Sequence, residues 1–188
     1  EEFEADYGKG GFGGFCELPD RNKPVICAVN GLAVGGGFEI VLAAEFVVAA
    51  DHAEFFLPET GLGIIPDAGA VRLPRVLPPV VANEVLYGGR RLNTKEAERW
   101  GLVNQVVAAG ELMDEAWALA WRIAAAAPLA VEAIMAVNRA TQGRSVDEAF
   151  AHLRSGDQVA YERMLGSDDA QEGPRAFTEK REPRWQGR

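Results

Sequence analysis

Pro24-Val25-Ile26-Cys27-Ala28-Val29-Asn30-Gly31-Leu32-Ala33-Val34-Gly35-Gly36-Gly37-Phe38-Glu39-Ile40-Val41-Leu42-Ala43-Ala44-Glu45 is the stretch on which the fold turns. Its opening, Pro24 to Val29, is nearly all apolar and rich in β-branched residues, and it ends at Asn30-Gly31. That is the pattern of a strand buried on both faces of a helix-covered sheet. The closing part, from Phe38 to Glu45, reads as a helix, so the glycine triplet leads straight from strand to helix. Phe46–Ala50 follows as a second apolar strand and Glu54–Leu57 as a third, stopped by Pro58. Strand, helix and strand so close together indicate α/β units in a layered sheet.

Upstream, an acidic start, Glu1-Glu2-Phe3-Glu4-Ala5-Asp6, runs into a segment from Gly8 to Gly14 with five glycines in seven positions. This reads as loop, because glycine sustains neither helix nor packed strand. Downstream, from Thr94 onward, the pattern is helical to the end. Asn93-Thr94 caps Lys95–Trp100, which stops at Gly101. Leu112–Ala127 and Leu129–Thr141 are Ala-rich and divided by Pro128. Ser145 with Glu148 has the shape of a capping box before a helix over Ala149–Leu165. Ser167-Asp168-Asp169 caps a last helix through Lys180, and no repeat of fixed period is visible.

The 188 residues carry 19 basic and 28 acidic side chains, a net charge of −9, with 48% hydrophobic residues. This is a globular composition, long enough for a sizeable core, and a single domain is the default. The global field has the wrong sign for phosphate, which excludes a general nucleic-acid or anionic-membrane binder. Cys16 and Cys27 lie eleven positions apart, with no second pair to form a zinc site, and read as free thiols in a reducing compartment. No apolar run approaches the ~20 residues of a membrane span, and no signal-peptide pattern opens the chain. The expectation is therefore a cytoplasmic protein, and because residue 1 is Glu rather than Met the natural start need not be Glu1.

Several motif matches carry no chemistry. Gly8-Lys9-Gly10-Gly11-Phe12-Gly13 fits a dinucleotide-binding pattern, but no strand precedes it and no helix follows. His52 and His152 lack metal-ligand spacing, and neither a phosphate-binding loop nor a nucleophile elbow is present. Gly35-Gly36-Gly37 differs by its context. A glycine turn at a helix start presents unobstructed backbone N–H groups to an oxygen that becomes negative during reaction. Taken alone, the same glycines also read simply as a tight connection. Glu39 stands in the first turn of that helix among the apolar Phe38, Ile40, Val41 and Leu42, and a buried carboxylate is costly unless paired or employed. A second acid, Glu59, follows an apolar strand end and precedes a Gly-rich turn, a place where α/β proteins put chemistry. Two carboxylates facing one pocket push their pKa values apart and so divide acid and base roles.

The stretch Lys23–Gly31 followed by Gly35-Gly36-Gly37-Phe38-Glu39 resembles the signature of the crotonase superfamily, the enoyl-CoA hydratases and isomerases. Leu57-Pro58-Glu59, Gly61-Leu62-Gly63-Ile64-Ile65-Pro66, the segment from Glu96 to Val103 and that from Glu172 to Arg181 agree in order and spacing. The finer resemblance is to carnitinyl-CoA dehydratases, also called crotonobetainyl-CoA hydratases. It rests on Asp6-Tyr7-Gly8 with Gly10-Gly11-Phe12, Pro66-Asp67, Leu73–Pro79, Arg154-Ser155-Gly156 and Pro183–Arg188. No residue in the sequence singles itself out for recognising a quaternary ammonium.

The resemblance implies an α/β fold, a crotonase-like ββα spiral lacking its first strands here, with a C-terminal helical region. Residues 1–105 would form the partial spiral core with the active site. Residues 106–188 would form a helical region for trimerisation and CoA contact, within a homo-trimer or a dimer of trimers. It also implies an oxyanion hole with one N–H from Gly36, the second donor belonging to an Ala-Gly loop ahead of Glu1. Glu39 and Glu59 would hold one water between them and add it to, or remove it from, the α,β double bond of an acyl-CoA thioester. Gly35, Pro58, Gly63 and Asp67 would line the substrate site. The counterparts of Phe177 and Lys180 contact the CoA of a neighbouring subunit. No metal or redox cofactor is required, since coenzyme A is part of the substrate. Two departures bear on the acyl pocket: Asp67 stands where many hydratases carry Gly, and Gly69–Leu73 is one residue shorter than in relatives. The alternatives are a truncated, non-catalytic acyl-CoA-binding or assembly paralogue, and an enoyl-CoA isomerase, which would need only one of the two acids.

Overall fold

The computed structural model of the protein describes residues 8–188, and they fall into two compact units that divide between Leu119 and Ala120. The acidic start and the Asp6-Tyr7 part of the finer resemblance lie outside the described residues.

The first unit divides its six described strands between two three-stranded sheets. β1 (Ile26–Val29) and β3 (Phe46–Ala50) run parallel, with Ile26 opposite Phe46 and Val29 opposite Ala49. β6 (Gln105–Val107) joins the far edge of β3, also parallel. β2 (Leu32–Val34) instead pairs with β4 (Glu54–Phe56) in a second sheet, completed by the antiparallel β5 (Leu92–Asn93). Helix α1 (Gly36–Ala43) follows β2. Two strands, one per sheet, and then a helix is the ββα winding expected from the resemblance. A core of Phe38, Val41, Phe55, Leu57, Leu73, Val85 and Leu92 fills the space between these elements, with the Phe38 and Phe55 rings 5.5 Å apart and tilted. On the other side of the first sheet, Val48, Ala50 and Val107 pack with Leu112 and Ala116 of α5 (Leu112–Ala124).

Several expectations need correction. β1 is half-buried along its length rather than fully enclosed. β2 was hidden in the apolar run after Asn30-Gly31, being too short for alternation to register. α2 (Asp67–Val76) and α3 (Pro79–Gly88) were not foreseen. Gly69 and Pro74 disguise α2, because both count against a helix interior. β6 interrupts the supposedly helical region after Thr94. α4 (Thr94–Arg99) has the anticipated cap, with Asn93 and Glu96 bonding reciprocally.

In the second unit, α6 (Pro128–Thr141) packs against α8 (Val159–Leu165), burying Leu129, Ala133 and Met135. The Ser145–Glu148 capping box opens α7 (Val146–Leu153). The single helix expected over 149–165 is two, broken at Ser155-Gly156, where the Ser155 hydroxyl accepts the Asp157 N–H and offers the backbone an alternative to the helix. α9 (Asp168–Glu179) then anchors the final residues of the chain. Asp169, buried on its first turn, accepts the N–H groups of Gln186 and Gly187 at 2.7 and 2.9 Å. Glu172 accepts the Arg184 N–H and a two-pronged contact from Arg181, while the Trp185 indole donates to the Ala125 carbonyl. Among the described residues, no single helix is long and apolar enough to cross a membrane.

The Arg181 guanidinium, aided by the Arg184 N–H, holds the Glu172 carboxyl down to about 2 from its ordinary 4.5. A carboxylate depressed in the folded state stabilises above its unfolded pKa, and that contribution is lost as pH falls through the folded value. Glu172→Gln should therefore lower the melting temperature at neutral pH. The gap to the parent should close between about pH 4.5 and 2, as thermal melts across that range would reveal.

Candidate active site

The site is built where α1 begins. Gly35, just before the helix, has φ 53° and ψ −125°, and its N–H is bonded to the Phe56 carbonyl at 3.0 Å. A side chain there would suffer twice: that backbone conformation disfavours a Cβ, and the Cβ would stand 2.5 Å from the Glu59 Oε1. At Gly36 a Cβ would overlap the ring of Phe12. The two glycines thus let a carboxylate and an aromatic ring rest directly on bare backbone. As the first residue of α1, Gly36 has an N–H with no intrahelical acceptor, backed by the positive end of the helix dipole.

One turn on, Glu39 is 5% exposed. Its burial is explained by α2, whose first N–H groups need acceptors. The residue before that helix is Pro66, which offers no side-chain cap. Glu39 supplies one from across the core: its Oε1 accepts the Gly69 N–H at 2.8 Å. Gly69 is closely packed in turn, since a Cβ would come within 2.8 Å of Leu57 and 3.0 Å of Pro66.

Glu59 starts the 3-10 turn Glu59–Leu62, with Pro58 before it and Gly63 ending it at φ 81°. Its Oε2 is buried with no hydrogen-bond partner among the described residues. Burial pushes the Glu59 pKa up from 4.5; a bond from its own backbone N–H opposes this, and the nearby Glu39 charge adds to it. The Glu39 charge therefore reaches Glu59, which is biased toward holding a proton. Cys16, also close to Glu39, is no candidate nucleophile, because burial drives its thiol up to about 11.

Gly36, Glu39, Glu59 and Asp67 line one cavity of about 140 Å³, together with Phe12, Glu17, Ile64, Ile65, Pro66 and Ala68. Gly35 lies behind Glu59, whereas Pro58 and Gly63 bracket the turn that carries Glu59 and are not among the lining residues. Phe177 and Lys180 lie at the end of α9 in the second unit; Phe177 is 87% exposed, and Lys180 closes the helix with φ 53°. Phe12 and Glu17 escaped the sequence reading because their glycine-rich segment looked like plain loop. It is an ordered turn, with a 3-10 stretch over Phe12–Gly14. No sequence signal marked Gly69, whose role is a backbone bond between elements distant in the chain.

A family model for enoyl-CoA hydratase/isomerase matches residues 1–188. The chain belongs to the enoyl-CoA hydratase/isomerase family. Within this family it is 54% identical over 185 residues to a carnitinyl-CoA dehydratase of Salmonella arizonae, covering 98% of this chain and 71% of the relative. It is 55% identical over 186 residues to a carnitinyl-CoA dehydratase of Proteus mirabilis, with the same coverage. Solved structures agree. An enoyl-CoA hydratase from Mycobacterium tuberculosis superposes with a TM-score of 0.88 at 37% identity, over 98% of this chain and 71% of that one. One from Bacillus anthracis gives 0.84 at 37% identity, over 92% of this chain and 66% of that one. The enoyl-CoA hydratase/isomerase fold, the crotonase spiral, is thus the fold of this chain.

The capping role of Glu39 makes its substitutions separable. Glu39→Gln keeps an acceptor oxygen for Gly69 and should stay near the parent in denaturant melts. Glu39→Ala leaves a buried N–H unpaired and should lose about 1–3 kcal/mol.

Proposed function

We propose that this site performs enoyl-CoA hydratase-type chemistry, adding water to or removing it from the α,β double bond of an acyl-CoA thioester. The observation that carries this reading is the meeting of Glu39, Glu59 and Gly36 around one cavity. The thioester oxygen would lie against the Gly36 N–H, where charge developing in an enolate-like transition state is stabilised. In the hydration direction, Glu39 takes a proton from the attacking water as its oxygen bonds to the β carbon. Glu59, biased toward its protonated form, delivers a proton to the α carbon. Dehydration reverses both transfers. Isomerisation would need one acid, and the pairing of two favours the hydratase reading. This chemistry calls for no metal or redox cofactor, and coenzyme A enters as part of the substrate.

The finer reading is a carnitinyl-CoA dehydratase, as its relatives are named. Glu17 and Asp67 add two further carboxylates to the cavity, and none of its lining side chains is basic. Such a lining suits an acyl group bearing a positive charge, such as the quaternary ammonium of a carnitinyl thioester. The Asp67 departure from the hydratase pattern thereby gains a purpose. A homo-trimer or dimer of trimers, with Phe177 and Lys180 reaching the CoA of a neighbouring subunit, is proposed on the family resemblance. A cytoplasmic setting suits the free thiols Cys16 and Cys27.

Hydration of crotonyl-CoA and crotonobetainyl-CoA, followed spectrophotometrically, tests the mechanism. Glu39→Gln and Glu59→Gln should each cut kcat by ~10²–10⁴, and full activity in both would remove it. Glu17→Gln with Asp67→Asn should lower kcat/KM for the cationic substrate by roughly thirtyfold more than for crotonyl-CoA, since each of the two lost carboxylates removes on the order of 1 kcal/mol of attraction in a partly wet site.

A further inference from the structure

We propose that Phe12 is the specificity-determining wall of the cavity, setting the length of acyl group that the two acids can serve. The inference rests on the hydratase reading and deepens it. Phe12 lines the same cavity as Glu39 and Glu59, and its ring lies on Gly36 so closely that even a methyl group there would overlap it. The proposed oxyanion donor is therefore also the seat of an aromatic side chain.

The segment presenting Phe12 is held in place. The Phe12 carbonyl accepts the N–H groups of Phe15 and Cys16, and the Gly11 carbonyl accepts that of Gly14. Cys16 is fully buried, and its carbonyl accepts a bond of 2.6 Å from the Arg72 guanidinium of α2. At Gly13 a Cβ would touch Ile40 of α1 at 3.2 Å, so the turn is seated on that helix. The ring is thus carried by a turn tied to both helices that bear the catalytic wall.

Size follows from volume. The cavity measures about 140 Å³. That is room for a short acyl end and the reacting water, and it falls well below the ~300–1,000 Å³ of a site enclosing a whole ligand. A longer straight chain would have to displace Phe12. One methylene gained or lost in an apolar pocket is worth ~10–200-fold in discrimination, so removing a whole ring should reorder the substrate series.

The test compares the protein with its Phe12→Ala and Phe12→Leu variants on straight-chain trans-2-enoyl-CoA substrates of increasing length. The parent should favour the four-carbon substrate. Phe12→Ala should raise the ten-carbon to four-carbon ratio of kcat/KM by at least ~10-fold, with Phe12→Leu between. An active Phe12→Ala protein with the parental ratio would overturn the proposal. Calorimetric binding of butyryl-CoA and decanoyl-CoA gives a second readout that needs no turnover. If the parent hydrates nothing, the hydratase reading fails, but a shift of binding toward decanoyl-CoA in the variants would still support the wall. An unshifted binding ratio would sink it. Should Phe12→Ala fail to fold, the Leu variant alone must shift both ratios in the same direction, and its failure to do so would equally overturn the idea.

Discussion

The hydrogen bond from the Gly69 N–H to the Glu39 carboxylate holds the site together. It resolves two problems at once: a buried charge that needs a partner, and a helix start after Pro66 that has no cap of its own. Because the bond spans from α1 to α2, it fixes the two helix N-termini relative to each other. The cavity lies beside both starts and is lined by Gly36 of the one and Asp67 of the other. The acid proposed for catalysis is thereby oriented by the fold, with one oxygen committed to structure.

Glu59 is treated differently. One of its oxygens rests against the Cα of Gly35, and the other is buried without a partner. Burial and the Glu39 charge both push Glu59 upward, toward the state that can give a proton away. The remaining acids, Glu17 and Asp67, are exposed at the same cavity. They add two carboxyl groups to the lining that an incoming acyl group meets.

Much of this was legible beforehand, and what was not has physical causes. Glu39 stood out because a carboxylate among Phe38, Ile40, Val41 and Leu42 has no cheap explanation. Glu59 stood out by its strand-end context. α2 stayed hidden because Gly69 and Pro74 argue locally against a helix, whereas its stability comes from packing Leu73 into the core and from the distant Glu39. β2 and β6 are three residues each, too short for periodicity to reveal, and they exist because a neighbouring strand supplies their hydrogen bonds. Phe12 shows no role of its own in the sequence, because it stands among glycines that read as loop. Composition describes the freedom of an isolated segment but carries no information about the surface on which that segment will settle.

Local chemistry, written into the order of residues, determined the helix caps at Asn93, Ser145 and Ser167, the bare backbone of the Gly35–Gly37 turn and the presence of two suspicious acids. These depend on neighbours a few positions away, so a linear reading captures them. Tertiary structure alone decided that Glu39 would cap α2, that Glu59 would lie against Gly35, and that Phe12 would cover Gly36. Each of these contacts joins segments some twenty to thirty residues apart, and its geometry is set only when the two sheets and their helices close around one core.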